Sequence, residues 1–444
     1  MQIPTYAKHA MDLLENAGFE CYAVGGCVRD SLLGKKPNDW DITTIALPEE
    51  TEKVFAGYKV IETGIKHGTI TVLVEDEPLE ITTYRIDGDY LDNRHPSGVT
   101  FTRNLHEDLA RRDFTINALA ISRDGKLVDE FDGKTDLERR VIRCVGDPDK
   151  RFNEDALRIM RALRFSATLD FDIDERTSES ILRNRELLRN IAAERVTEEF
   201  LKLLCGAGSR VIDILLRYRD VFAVVIPELE PCFDFDQHNK HHIYDVYEHI
   251  VRSVGDSEPL PDVRFAMLLH DIGKPKCFTI DEVGTGHFYS HADISADIAA
   301  DVLKRLKVSN ELYDSVWNLV KYHYYPIEPN IKSVCRRLNK FGPELFEKLL
   351  MVKLADNNAH NMETGDYSGE IKEIRALIPE AMTQCFSIKD LAISGNDLIE
   401  LGIEKGPKIG EILNSLLEEV MDEILPNEHE KLIERVKVLG TSKA

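Results

Sequence analysis

The sequence predicts an α/β unit at the N-terminus followed by three mainly helical regions. Three observations carry this: short β-like runs confined to the first third, a switch to helical periodicity near residue 147, and a later crowding of histidines. Residues 1–20 read as an amphipathic helix ending near Gly18, and Glu20 to Val24, Thr69 to Val74 and Leu79 to Tyr84 read as strands punctuated by glycine turns. That α/β unit spans 1–146. From 147 to 225 apolar residues recur every three or four positions, as in ALRIMRALRF and ERVTEEFLKLL, so a helical connector is expected. Within region 226–375, eight of the 14 histidines, at 238, 241, 242, 249, 270, 287, 291 and 323, crowd into 86 residues, which marks a separate module. Residues 376–444 form a helical tail, in which GNDLIELGIEKGPKIGEIL reads as helix, glycine-proline turn and helix.

With 444 residues the chain exceeds the roughly 100 to 200 of one ordinary domain, so two to four cores are expected. Hydrophobic residues at 43% and charged ones at 30% are ordinary for a globular protein, and no apolar run reaches the roughly 18 residues of a membrane span. Lys and Arg number 56 against 79 Asp and Glu, a net charge of -23, which excludes wrapping nucleic acid over the whole surface. RNA contact would need local basic patches. Eight cysteines are scattered without a CxxC pair, and the N-terminus lacks the charged start and apolar stretch of a signal peptide, so a cytoplasmic setting with reduced thiols is expected.

The first constellation of chemical groups is Val24-Gly25-Gly26-Cys27-Val28-Arg29-Asp30-Ser31-Leu32-Leu33-Gly34, which leaves a strand through two glycines and enters a helix. Backbone amides at such a turn cradle phosphate oxygens, making Gly25, Gly26 and Arg29 candidate nucleotide contacts. Asp39-Trp40-Asp41 follows, and in an extended strand Asp39 and Asp41 project from one face. An isolated Asp-x-Asp is ordinarily a solvated strand edge. After a phosphate cradle, two carboxylates that repel unless a cation lies between them suggest Mg²⁺-assisted phosphoryl transfer. Glu80, on the next strand, is either a third catalytic carboxylate or an exposed strand residue. Asp108-Leu109-Ala110-Arg111-Arg112-Asp113-Phe114-Thr115-Ile116-Asn117-Ala118-Leu119-Ala120 then sets basic, acidic and amide groups ahead of an expected apolar helix. Arg binds triphosphate, and Asp or Asn accepts from ribose hydroxyls.

GGCVRDSLLG with DWDI, RRDFTINALA and NEDALRIMRALRF together closely resemble the class II tRNA nucleotidyltransferases, the CCA-adding enzymes, and their bacterial poly(A) polymerase relatives. The resemblance covers residues 1 to about 225 well and extends more loosely to the end. It implies a polymerase β-like nucleotidyltransferase head followed by an all-α neck, body and tail. It further implies that Asp39 and Asp41 hold catalytic Mg²⁺ ions, that Arg112, Asp113 and Asn117 contact the incoming CTP or ATP, and that a tRNA 3′ end is the primer. No membrane and no obligate protein partner are implied. Arg85 to Pro96 resembles the full-length flexible loop that CC-adding relatives lack, which favours complete CCA addition.

Asp155, Arg158 and Arg161 lie three apart and are expected to share one helix face. A carboxylate only accepts hydrogen bonds and a guanidinium only donates them, whereas cytosine and adenine each present an amino donor beside a ring-nitrogen acceptor. An Asp155/Arg158 pair therefore suits C and A, and in the family the matching positions serve as an amino-acid template. Read without the head motifs, the same spacing is an ordinary surface ion pair. Residues 139–164 carry eight Arg or Lys against four Asp or Glu, a local +4 that either faces primer phosphates or is a solvated helix face.

The second constellation is His249, the doublet His270-Asp271 and Asp356, with His291 and His323 between the doublet and the last Asp. Imidazole and carboxylate together suit a borderline transition metal. MLLHDIGKP resembles the signature of the HD phosphohydrolase superfamily, which implies His249, His270, Asp271 and Asp356 as ligands of one metal and His291 and His323 as ligands of a second. The leading reading is a CCA-adding tRNA nucleotidyltransferase fused to an HD domain, for which the resemblance offers phosphomonoester or 2′,3′-cyclic phosphate hydrolysis as the hypothesis. The competitors are a CC-adding, A-adding or poly(A)-forming relative, an HD phosphohydrolase whose head only binds RNA or nucleotide, and a scaffold.

Overall fold

The computed structural model describes residues 3–62, 64–88, 98–239, 242–360 and 366–441. It divides into two compact units, residues 1–230 with 305–308, and residues 231–304 with 309–444. The α/β region and the helical connector that the sequence separated near residue 146 thus belong to one unit, and the tail joins the histidine-rich region in the other.

In the first unit a helix at Thr5–Asn16 buries Ala7, Ala10, Met11 and Leu14, and the chain reverses at Gly18, whose φ of +89° favours glycine. Among the described residues eleven strands follow: β1 (Cys21–Val24), β2 (Asp41–Thr44), β3 (Lys59–Ile61), β4 (Thr69–Val74), β5 (Glu77–Thr83), β6 (Arg85–Asp87), β7 (Val99–Phe101), β8 (Leu119–Ile121), β9 (Leu127–Asp129) and the short parallel pair β10 (Val141–Ile142) and β11 (Asp172–Ile173). Seven of them form one mixed sheet in the order β3-β4-β5-β2-β1-β8-β9, in which only β2 and β5 pair in parallel. β4 shows the alternation of a strand with one buried face: Ile70, Val72 and Val74 are buried and their neighbours are not. β4 and β5 are joined by the two-residue turn Glu75-Asp76, both with positive φ, the geometry of a tight hairpin turn. β6 and β7 pair separately, and residues 89–97 of the expected flexible loop lie outside the described residues.

The neck helices begin with Pro148–Glu154 and Leu157–Leu169. Between them Asp155 is extended, φ -136° and ψ 103°, so Asp155 and Arg158 are not on one continuous helix as the three-residue spacing suggested. The cause is local: the Asp155 carboxylate accepts from the Leu157 amide at 3.1 Å, a side-chain bond that competes with the helical ladder. The segment after Arg112 also departs from expectation, forming a short 3-10 turn at Thr115–Asn117 and then β8 instead of an apolar helix.

The second unit is built around the helix Pro261–Leu269, whose nine residues apart from Pro261 are all buried. Val246–Asp256, Asn310–Tyr322 and Ile331–Asn358 pack against it. The last of these kinks at Gly342, φ +73°, ahead of Pro343. Among the described residues no helix is long and apolar enough to cross a membrane, and all eight cysteines are free thiols.

Candidate functional site

β1 runs directly into Gly25, which caps a short helix at Gly26–Leu32 with φ +83°. A side chain at Gly25 would place its Cβ 2.9 Å from an Arg112 guanidinium nitrogen, so glycine here permits that close approach. The Gly25 amide donates to Leu119 O at 3.1 Å, which leaves any phosphate cradle to the amides beyond it. Asp39 lies just ahead of β2 rather than within it, and is exposed. Asp41 opens β2 and stands directly opposite Glu80 in the parallel pairing with β5. Burial, then the charges of Asp39 and Glu80, push the Asp41 carboxyl up to about 6, with Arg112 opposing. Carboxylates held together in this way favour a cation between them.

Arg112 is beside them, and its buried Nε has no hydrogen-bond partner among the described residues. An orphaned guanidinium donor next to a carboxylate cluster is fitted to an anionic oxygen of a metal-bound polyphosphate. Asp108, fully buried, supports it: its carboxylate accepts from Thr43 Oγ1 at 3.1 Å and Arg111 Nε at 2.9 Å, and lies 3.9 Å from Arg112 Nη2. Asp108 opens the segment that the sequence singles out, but the sequence reading gave it no role.

The other predicted nucleotide contacts are joined into a chain of charge-assisted bonds. Arg29 pairs with Asp30 and donates to Asn117 Oδ1 at 2.7 Å. Asn117 donates to Asp113 Oδ1 at 3.0 Å, and Asp113 Oδ2 accepts from Arg161 Nε at 2.8 Å. Arg161 also reaches Glu199, which takes Arg164 at 2.8 Å. Burial would raise Asp113, but Arg161 and the Asn117 hydrogen bond override it and hold its carboxyl down at about 2.

Asp155 and Arg158 are not paired with one another in the described contacts. Asp155 lies 3.5 Å from Arg195, while Arg158 donates to Glu154 at 2.8 Å and to the carbonyls of Arg111 at 2.8 Å and Arg151 at 3.2 Å. The basic stretch 139–164 is likewise mostly engaged internally: Arg140 with Asp170, Arg143 with Asp136, Arg151 and Arg158 with Glu154, and Arg161 and Arg164 with Glu199. Its +4 charge is therefore no free phosphate-facing stripe.

In the second unit five helices bring the predicted metal ligands together. His249 sits inside Val246–Asp256, His270 and Asp271 follow Pro261–Leu269, His291 opens His291–Arg305, His323 follows Asn310–Tyr322, and Asp356 is in the last turn of Ile331–Asn358. His249 Nε2 lies 3.1 Å from Asp356 Oδ1, 3.2 Å from Asp271 Oδ2 and 3.3 Å from His270 Nε2, and His270 Nε2 lies 3.2 Å from Asp271 Oδ2 and 3.5 Å from Asp356 Oδ1. Ligands about 2.1 Å from one ion are separated by roughly 3.0 to 3.4 Å, so this set fits a shared metal. The other oxygen of Asp271 faces His291 Nε2 at 3.5 Å and His323 Nε2 at 3.9 Å, which are 3.2 Å apart. His270, His291 and His323 each place Nδ1 within 2.9 Å of a backbone carbonyl three residues back, leaving Nε2 as the ligand atom. Burial works against charge on His270, but Asp271 and Asp356 push its ring up to about 10, as befits a cup built for a cation. Lys274 adds a 2.7 Å contact to Asp271. The sequence reading missed His360, which stands four residues after Asp356 with its Nε2 3.8 Å from the Asp356 carboxylate. That i,i+4 spacing at the end of a helix was the available signal.

Family models match three stretches: "Poly A polymerase head domain" at 21–143, "Probable RNA and SrmB- binding site of polymerase A" at 170–233, and "tRNA nucleotidyltransferase domain 2 putative" at 286–436. A CCA-adding enzyme of Lactobacillus delbrueckii subsp. bulgaricus is 54% identical over 209 residues, which span 47% of this chain and 52% of that relative, so the alignment covers about half the relative's length. A CCA-adding enzyme of Leuconostoc mesenteroides is 35% identical over 428 residues, 96% of this chain and 94% of the relative. The crystal structure of the Bacillus stearothermophilus CCA-adding enzyme in complex with CTP superimposes with a TM-score of 0.73 at 29% identity, covering 100% of both chains. On the full-length similarity, together with the head sheet that carries Asp41 opposite Glu80, the chain belongs to the CCA-adding tRNA nucleotidyltransferase family.

Proposed function

We propose that this chain adds C, C and A to tRNA 3′ ends without a nucleic-acid template, drawing on CTP and ATP, in the cytoplasm. The observation that carries the chemistry is the placement of Asp41 directly opposite Glu80, with Asp39 two residues earlier and the unpaired Nε of Arg112 alongside. Asp39 and Asp41 are the Mg²⁺ ligands in this reading, and Glu80 is the third carboxylate of the cluster. Bound Mg²⁺ supplies Lewis-acid stabilisation of the charge that develops on the transferring and departing phosphates. Arg112 binds the triphosphate, Gly25 keeps the approach to it open, and Asp113 and Asn117 present acceptors to the ribose. Arg29 and Arg161 hold those two residues in place and are positioning groups.

Asp155 and Arg158 select the base. The Asp155 carboxylate accepts from the exocyclic amino group of C or A, and Arg158 donates to the ring nitrogen after exchanging Glu154 for the base. Uracil and guanine present the reversed pattern and leave both groups unpaired, at a cost of roughly 1 to 3 kcal/mol each. The neck contributes few free cations, so tRNA affinity depends on other surfaces.

A second activity is supported by the four ligand atoms of His249, His270, Asp271 and Asp356: hydrolysis of a phosphomonoester or 2′,3′-cyclic phosphate at an RNA end, with a borderline transition metal bound there and His291 and His323 available to another. The division of the chain into a head at 1–146, a neck at 147–225, an HD body at 226–375 and a tail at 376–444 is the corresponding functional partition.

The deciding experiment measures incorporation of each labelled nucleoside triphosphate onto tRNA transcripts ending before CCA, after CC and after CCA, with Mg²⁺ and Asp39→Ala and Asp41→Ala controls. Two C and one A followed by a stop is expected. C alone, A alone or unbounded A reassigns the product, and no incorporation by folded protein moves the principal activity to the second unit.

A further inference from the structure

The cavity above the metal ligands of the second unit carries two large aromatic rings that the ligand chemistry does not use. Tyr289 and Tyr324 line this space of about 620 Å³ together with Asp271, His291, His323 and Asp356, and each is 71% exposed. Exposed rings gathered at one concave site mark a surface that a ligand covers. Each ring is nonetheless fixed by a neighbour. Tyr289 stacks on His287 with centroids 5.4 Å apart and planes 11° from parallel, and His287 Nε2 lies 2.9 Å from Asp281 Oδ2. Tyr324 meets the ligand His291 at 5.1 Å and 65°. Tyr325 lines the same cavity but differs, because Arg337 covers its ring at 4.3 Å and it is only 44% exposed.

Both rings are tied closely to metal ligands in the chain, Tyr289 two residues before His291 and Tyr324 one after His323. A phosphate brought to this end of the cup would therefore have a flat aromatic surface one ring away from it. Every nucleobase has a π-face, and stacking on aromatic side chains is a general means of holding unpaired bases. A small phosphate ester without a base has nothing to lay on either ring. We propose that Tyr289 and Tyr324 form a base-stacking platform that makes the metal centre of the second unit selective for a phosphate carried on the terminal nucleoside of an RNA. The ligand chemistry is a 2′ or 3′ phosphate on a nucleoside whose base is unpaired, since a base inside a duplex offers no free face. Stacking is tolerant of base identity, so the platform accepts any of the four.

This rests on the proposed hydrolysis at that centre, and the test separates the two. The full-length chain, loaded anaerobically with Mn²⁺, is given adenosine 2′,3′-cyclic phosphate, a trinucleotide ending in the same group, and glycerol 1,2-cyclic phosphate, which carries the reactive ring without a base. The readout is the ratio of kcat/KM for each base-bearing ester to that for the glycerol ester. Tyr289→Ala/Tyr324→Ala is expected to lower that ratio about tenfold or more, chiefly through KM, and Tyr289→Phe/Tyr324→Phe, which keeps both rings, to restore it. A loss with the trinucleotide supports an RNA end as the ligand, whether or not the mononucleotide follows it. A loss with the mononucleotide alone assigns a free nucleotide and overturns the RNA. A ratio unchanged in the alanine pair, or an equal fall with all three esters, overturns the platform and leaves the hydrolytic centre standing. No turnover of any ester by the wild type overturns the hydrolytic reading and the platform with it.

Discussion

Asp113 is a buried carboxylate that joins the head to the neck helix Leu157–Leu169, and its replacement by Asn removes the charge while keeping the shape. Its carboxyl is held at about 2 against an ordinary 3.8, which amounts to about 2 kcal/mol of stability at neutral pH. Because the folded-state value is depressed, that contribution is fully present above the unfolded value near 3.8 and is lost as pH falls through about 2. The chain has two tryptophans, Trp40 in the first unit and Trp317 in the second, so a Trp317→Phe background makes urea unfolding of the first unit visible through Trp40 fluorescence. In that background Asp113→Asn should be about 2 kcal/mol less stable than its parent at pH 7, with the difference shrinking between pH 4 and pH 2. Other carboxylates titrate in both proteins and cancel in the comparison. A difference that stays constant from pH 7 to pH 2.5 would refute the assigned role of the Arg161 and Asn117 contacts.

Further outcomes follow from the same geometry. Glu80→Gln should lower the incorporation rate at least about tenfold while leaving the first unit as stable or more so, because a negative charge facing Asp41 is removed; a loss of stability in Trp40-monitored unfolding would contradict this. Arg164→Glu places two carboxylates together at Glu199 and should cost roughly 1 to 3 kcal/mol of stability, with little change in the salt dependence of tRNA binding; a reduced salt slope with stability intact would restore the neck as a phosphate contact. Chelation should destabilise the second unit, by about 2.7 kcal/mol where free metal had stood at a hundred times its dissociation constant. Trp317 fluorescence on denaturation with and without EDTA reads this directly, and coincident curves would count against a bound metal.

The head was legible in the sequence where one residue pattern served both the fold and the chemistry. β4 could be read from the alternation of Ile70, Val72 and Val74, and β5 from Leu79, Ile81 and Thr83, which also placed Glu80 on the opposite face. The break at Asp155 was not legible, because apolar periodicity continues through NEDALRIM whether or not one residue is extended, and the cause is a single side-chain bond to Leu157. The pairing of the neck arginines was equally hidden, since Asp113, Asp136, Asp170 and Glu199 are brought to them by folding. The ligands in the second unit were found through the fixed doublet His270-Asp271. His360 was overlooked because the crowding of histidines ends at His323 and its partner Asp356 was read alone.

The turn Glu75-Asp76 has a consequence for the chemistry of the head that its distance in sequence conceals. Closing β4 onto β5 with exactly two residues pairs Val74 with Glu77 and carries Glu80 opposite both Thr71 and Asp41. Side chains alternate with a period of two, so a one-residue slip of β5 against β2 would bring Leu79 or Ile81 opposite Asp41 in place of Glu80. The tight two-residue turn thus helps to fix which side chain of β5 faces Asp41.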